Sequence, residues 1–247
     1  AEQMASQPKP PCWINLEYLS AESWVEDCHA LASPQRVGNQ SLNKYFFFPG
    51  FTAKTGGLLC EQALVPTLDQ FAQDRQAQQQ FWQQLKLDDA LQYSRRISLF
   101  AYGQQQLGTL FQRWQQAGST TLCLIPVGQL AEQAMAICAG LKPGQPWRQG
   151  QLTLCILPFL PQPEYDKLLA ACDINFVRGE DSIIRAQWAA KPFIWQIYRQ
   201  AEQAHLEKLQ AFMQRYCKKM PSALADTVQQ FWLNWNTDTE LTLSWPK

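Results

Sequence analysis

The chain is predicted to be an α/β protein with a parallel sheet, on three observations. From Arg95 onward, short apolar stretches alternate strictly with stretches of helical period. The apolar stretches are near-continuous rather than alternating, as in strands covered on both faces. At 247 residues, 46% hydrophobic and 17% charged, the chain is able to bury a full core.

The first ten residues are polar and read as a loose end. CWINLEYL reads as a strand, Ser20-Ala21-Glu22 opens a helical turn with Trp24 and Val25, and residues 33–43, rich in Pro, Gly, Asn and Ser, read as a loop. KYFFFPGFTAKTGGLL is aromatic and then Gly-rich; it lacks both phosphate-binding glycine patterns, so Gly56-Gly57 reads as a flexible loop. Residues 66–91 form a Gln-rich helical connector. RRISLFAYG, TTLCLIPVG, TLCILPFLP, INFVRGED and FIWQIY are then five strands separated by helices, which makes residues 95–235 one Rossmann-like domain closed by two amphipathic helices, about 200–217 and 222–235. Residues 1–65 hold too little sequence for a second full α/β domain and read as the end of something larger.

Composition excludes several classes. Net charge is zero with pI near 6.9, and lysines and arginines are scattered, which argues against a nucleic-acid binder. Eight cysteines lie far apart with no C-x-x-C, and only His29 and His205 offer imidazoles, so no metal site is expected. Cys123, Cys155 and Cys172 lie in or near apolar runs, as buried reduced thiols do. No apolar run approaches the ~18–20 residues of a membrane span and no signal peptide opens the chain, so a cytoplasmic protein with no membrane partner is expected.

The richest stretch is 171–198. An apolar strand runs into a charged turn at Arg178, Glu180 and Asp181, and a helix follows from about Ser182 to Ala189. Open α/β sheets bind ligands at such strand ends, and a helix N-terminus favours an anion. Glu180 and Asp181 can accept hydrogen bonds from sugar hydroxyls, which together suggests a nucleotide or nucleotide-sugar. The ordinary alternative is that Asp181 or Ser182 caps the helix, worth about 1 kcal/mol, while Arg178 and Glu180 form a surface ion pair. Two further strand ends supply aromatics: Phe100 and Tyr102 after the first strand, and Phe159 to Tyr165 after the third, with Gln162 able to read a base edge. No residue stands out as a general base.

WINLEYLSAESWVEDCHALASPQ, FFFPGFTAKTGGLL, ISLFAY and NFVRGEDSIIRAQWAAKPFIWQIYRQ closely resemble the bacterial protein-arginine rhamnosyltransferases that modify elongation factor P. These motifs span about 12–235, nearly the whole chain. The resemblance implies a GT-B fold, transfer of rhamnose from dTDP-β-L-rhamnose to an arginine of elongation factor P with inversion, and no cofactor or required metal. By the same resemblance, Phe159, Gln162 and Tyr165 contact the thymine nucleotide and Phe100 and Tyr102 wall the nucleoside side. Arg178, Glu180, Asp181 and Ser182 hold the diphosphate, ribose and sugar, with Arg178 and Glu180 supporting catalysis. Tyr165 stands where some relatives have Phe. The D-N-Y-G-D-I-G-type motif of the family's first domain, source of its proposed base, does not occur here. The expectation is therefore a donor-binding domain over 94–247, a remnant of the acceptor-side domain with connector over 1–93, and little turnover by this chain alone. Two rival readings are a non-catalytic module that docks on a translation factor through Tyr45 to Phe51, and another nucleotide-sugar enzyme of the same fold.

Overall fold

The computed structural model describes residues 2–9, 11–38, 40–200 and 204–237. The helical turn α1 (Glu2–Ala5) precedes β1 (Trp13–Leu16), α2 (Val25–Cys28), β2 (Ala32–Val37) and β3 (Gln40–Phe47). These strands form a sheet in the order β1-β3-β2, with β1 parallel and β2 antiparallel to β3. The stretch 33–43, expected as a loop, is thus most of a hairpin. Its Pro34 lies on an edge strand, where a sheet tolerates proline, and Gly38 takes φ +58° at the turn.

β3 is the central strand, and the aromatic segment that begins on it packs inward. Phe48 is buried, with the Trp24 ring edge-on at 5.4 Å, and its N–H donates to His29 Nδ1 at 3.1 Å. The Gly56-Gly57 loop is shaped by the same packing: a Cβ on Gly56 would lie 2.2 Å from the Phe47 ring. Phe48 is buried, while Tyr45, Phe46, Phe47 and Phe51 are half-buried.

Next come α3 (Leu64–Gln73) and α4 (Arg75–Gln84), parted at Asp74, whose carboxylate caps α4 by accepting from Ala77 N–H at 2.9 Å. Then follow β4 (Arg95–Leu99), α5 (Leu107–Gln115), β5 (Thr121–Pro126), α6 (Gln129–Ile137), β6 (Trp147–Gln149), β7 (Leu152–Leu157) and α7 (Gln162–Ala171). The described elements end with β8 (Ile174–Arg178), α8 (Gly179–Trp188), β9 (Phe193–Gln196), α9 (Ala204–Cys217) and α10 (Ser222–Asn236).

The larger sheet has the order β6-β7-β5-β4-β8-β9. Its five long apolar strands are parallel, as expected, but β6 pairs antiparallel with β7, so the sheet is mixed. β6 is three residues of Trp, Arg and Gln turned by Gly150 at φ +56°, too short and polar to read as a strand. Both faces are covered. Leu122, Leu124, Cys155 and Leu157 pack with Leu68, Phe71, Phe81, Trp82 and Leu168 from α3, α4 and α7. On the other face Phe176 meets Trp114 of α5 at 6.1 Å and Trp235 of α10 at 5.0 Å.

By contact the chain forms two compact units, Ala1–Leu59 with Arg199–Met220, and Cys60–Tyr198 with Pro221–Lys247. This grouping differs from the expected 1–93 and 94–247, because α3 and α4 share the core of the larger sheet. It also removes α9 from that sheet. α9 packs in the first unit, with Phe212 5.5 Å from Phe51 and the Arg215 guanidinium 4.9 Å from the same ring.

Cys123, Cys155 and Cys172 are buried, and burial alone pushes the Cys155 thiol up to about 11. Since the thiolate is the reactive form, brief iodoacetamide treatment of the native protein at pH 8 is expected to alkylate the exposed Cys12 and Cys60 and spare these three. Peptide mass spectrometry reads the pattern. Labelling at Cys155 before unfolding would contradict the packing.

Candidate functional site

Leaving β6 aside, the parallel strands numbered along the chain lie in the order 3-2-1-4-5, so the winding reverses between β4 and β8. Sheets of this topology bind ligands at that point, beyond the carboxyl ends of the two strands. β4 delivers Phe100 and Tyr102 to it, and β8 delivers Arg178. The Arg178 guanidinium carbon lies 4.4 Å from the Phe100 ring centre and 4.7 Å from that of Tyr102. The arginine is thus held by two π faces, an arrangement the surface ion-pair alternative did not foresee. Stacking occupies a guanidinium's face and leaves its in-plane N–H donors directed outward, the edge that pairs with phosphate or carboxylate.

The expected turn between strand and helix is absent, because α8 begins at Gly179, three residues earlier than Ser182. Gly179 makes the direct junction possible with φ +65°, and a Cβ there would sit 3.1 Å from the Tyr102 hydroxyl. Its carbonyl accepts from Trp195 Nε1 at 2.7 Å. Glu180 and Asp181 therefore lie in the first helical turn, and no side chain of Arg178 caps it. The capping alternative for Asp181 or Ser182 fails on position, since both are already inside the helix. What remains is a ten-residue helix whose first turn, at the positive end of its dipole, starts beside Arg178.

Asp181 is exposed, Glu180 half-buried and Ser182 buried. The Tyr165 hydroxyl is buried near Ser182; burial drives its pKa well up, with the Ser182 hydroxyl pulling the other way. The Tyr165 ring meets Phe100 edge-on at 5.8 Å, which joins α7 to the cluster. Gln162 is exposed at the start of α7. Phe159, at the end of β7, is 82% exposed and presents a bare ring at the strand end. The structure therefore joins Phe100, Tyr102, Tyr165 and Arg178 directly, sets Glu180, Asp181 and Ser182 on the adjoining turn, and leaves Phe159 and Gln162 open to solvent.

Three supporting residues escaped the sequence reading. Gln196 is buried at the end of β9, and its Oε1 accepts from Tyr102 N–H at 2.6 Å, fixing the loop that carries the ring. A glutamine inside the apolar stretch FIWQIY was the available signal. Asp166 and Arg185 form a buried pair between α7 and α8, with Nη1 to Oδ2 at 3.4 Å. Asp166 lies in none of the quoted motifs, and Arg185 lies in the 171–198 stretch without marking itself by residue type or spacing. Among the described residues, no group of three or more His, Cys, Asp or Glu could hold a metal ion, and no helix is long and apolar enough to cross a membrane.

A sheet wound in this order, with its arginine and aromatics gathered at the reversal, defines an α/β domain of the Rossmann type, the kind from which GT-B glycosyltransferases are built. The particular family is shown by comparison: the chain belongs to the one described as Elongation-Factor P (EF-P) rhamnosyltransferase EarP, which matches residues 1–247. It is 43% identical over 246 residues to a protein-arginine rhamnosyltransferase of Pseudomonas aeruginosa, covering 99% of this chain and 64% of that one. A protein of the same name from Shewanella oneidensis is 46% identical over 224 residues, covering 88% of this chain and 56% of the other. A solved structure concerned with the structural basis for EarP-mediated arginine glycosylation of translation elongation factor EF-P matches with a TM-score of 0.71 at 37% identity, covering 79% of this chain and 62% of that chain. The chain thus spans somewhat under two thirds of the length of these relatives, 64% of the Pseudomonas protein.

Proposed function

We propose that this chain carries the donor-binding part of an inverting protein-arginine rhamnosyltransferase, which moves rhamnose from dTDP-β-L-rhamnose to an arginine of elongation factor P. The observation that carries the reading is Arg178, stacked on Phe100 and Tyr102 at the strand reversal and next to the first turn of α8. The leaving group of such a transfer is a nucleoside diphosphate, whose negative charge grows as the glycosidic bond breaks. In-plane guanidinium donors and first-turn N–H groups meet that charge without reorganising, which is where stabilisation is most effective. Glu180 and Asp181 accept from hydroxyls of the sugar or ribose. Phe159 offers its face to the base and Gln162 an amide to the base edge. The donor set handles the diphosphate charge with no metal ion invoked. The acceptor guanidinium is a poor nucleophile while protonated, so transfer also requires a base, and no residue of this chain is assigned that role.

Calorimetry with dTDP tests the pocket. Phe159→Ala and Asp181→Ala, both at exposed positions, are each expected to weaken binding by roughly tenfold. Unchanged affinity in both would remove the assignment.

A further inference from the structure

We infer that Gln133, on α6, is a positioning residue for the donor site: its side-chain amide pairs with both backbone groups of Gln104 and so fixes the loop whose Tyr102 ring carries Arg178. The inference rests on the nucleotide reading above. Phe100 N–H, just past β4, still donates to the Phe176 carbonyl at 3.1 Å. From there to the start of α5 at Leu107 the chain lies in no strand or helix, so its peptide groups must find partners elsewhere. Two glutamines supply them. Gln196 takes the Tyr102 N–H, as described above. Two residues on, Gln133 Oε1 accepts from Gln104 N–H at 2.8 Å, and Gln133 Nε2 donates to the Gln104 carbonyl at 2.6 Å. The Gln104 side chain is itself buried, and its Nε2 donates to the Trp235 carbonyl at 2.7 Å in the last turn of α10.

Pairing a loop's peptide groups is ordinary in itself. Gln133 does more, because it spends both ends of one planar amide on a single residue. One hydrogen bond lets a peptide swing about the donor–acceptor line; two from a rigid amide set its direction as well. Reversing the amide would face N–H with N–H and oxygen with oxygen, so one orientation alone works. The residue between the two gripped positions is Gly103, exposed and without a side chain to pack, and so the freest point of the loop. A Cβ there would lie 3.2 Å from Gln129 Nε2, so the loop runs close to the first turn of α6. Gln196 and Gln133 hold the chain on either side of Gly103. The Tyr102 ring is thereby given one place, and the Arg178 guanidinium lies 4.7 Å from its centre. Apolar packing would hold such a loop down without fixing which way its peptides face.

The test is calorimetry with dTDP on this chain and its variants, each measured well below its own melting temperature. Gln133→Leu removes both bonds at nearly constant size and is expected to weaken dTDP by roughly three- to tenfold. In a Tyr102→Ala background, where there is no ring to place, the same change should cost less than about twofold; that non-additivity is the mark of acting through Tyr102. A merely structural role gives a lower melting temperature with dTDP affinity unchanged, or the same loss in both backgrounds, and either result overturns the inference. Should Gln133→Leu fail to fold, Gln133→Glu takes its place in the same cycle with the same expected outcome. It keeps the shape and the acceptor for Gln104 N–H, but at pH 7 it turns an oxygen towards the Gln104 carbonyl. An unaltered chain that binds dTDP no better than its folded Gln133 variants overturns the inference and spares the nucleotide reading; an unaltered chain that does not bind dTDP overturns both.

Discussion

Arg178→Ala should lower affinity for dTDP by roughly ten- to a hundredfold, the range of one or two charge-assisted hydrogen bonds lost in a partly desolvated site. The more telling variant is Arg178→Lys. A lysine keeps the positive charge, so a site that used Arg178 as a point charge would be rescued. The structure argues otherwise: the guanidinium is packed over Phe100 and Tyr102 at 4.4 and 4.7 Å, and the stacking fixes where its in-plane donors point. An ammonium has no plane to stack and no paired donors to aim. Arg178→Lys is therefore expected to recover less than half of the lost binding free energy. Under the proposed function, rhamnosyl transfer should suffer more than dTDP affinity in both variants, because the charge that Arg178 would meet is largest when the sugar bond breaks. Near-complete rescue by lysine, in calorimetry and in transfer assays alike, would show that plain electrostatics suffice and would discard the stacked-arginine account.

How far the chain could be read in advance follows from where each signal sits. The five parallel strands are each near-continuous apolar runs, because burial on two faces suppresses alternation, and such runs stand out against polar helix faces. The placement of Phe100, Tyr102 and Arg178 at or just beyond their carboxyl ends was legible for the same reason: once the strands are placed, so are the residues that end them. The hairpin of β2 and β3 was not legible, since Pro34 and Gly38 read as loop formers and only an edge position accommodates the first. α8 starts early because Gly179 can take a left-handed φ, a property of one residue that no periodicity reports. Arg185 was not singled out. Its partner Glu61 is 124 positions away in sequence, so the pair exists only after folding. Gln196 is similar, a polar residue in an apolar strand whose purpose appears only when the Tyr102 N–H arrives beside it.

Asn236→Ala should be among the most damaging single changes to stability. The side chain is buried at the end of α10, where Nδ2 donates to the carbonyls of Trp195 and Trp232, each at 2.8 Å, and Oδ1 accepts from Ile197 N–H at 2.8 Å. One amide thereby ties the helix end to the chain leaving β9. Alanine removes all three bonds, leaving the Ile197 N–H and the Trp195 and Trp232 carbonyls without them at a buried position. At about 1 kcal/mol or more for each group left unsatisfied, the loss sums to about 3 kcal/mol. For a chain of this size that corresponds to a melting temperature lower by roughly 6–12 °C. Asn236→Asp separates hydrogen bonding from volume, because it keeps the shape but turns the donor nitrogen into an acceptor facing two carbonyls. It should be at least as destabilising at pH 7 and should partly recover as the pH falls, since only the protonated acid can donate and its pKa is raised by the buried site. The damage should also reach the strand ends around Arg178. Trp195 holds the Gly179 carbonyl and Gln196 holds the Tyr102 N–H, so a loosened β9 frees both walls of the Arg178 cluster. Folded Asn236→Ala, measured well below its melting point, is thus expected to bind dTDP more weakly than the unaltered chain. A melting shift under about 2 °C, less than the loss of one such bond predicts, would mean that the buried amide is not the tie described.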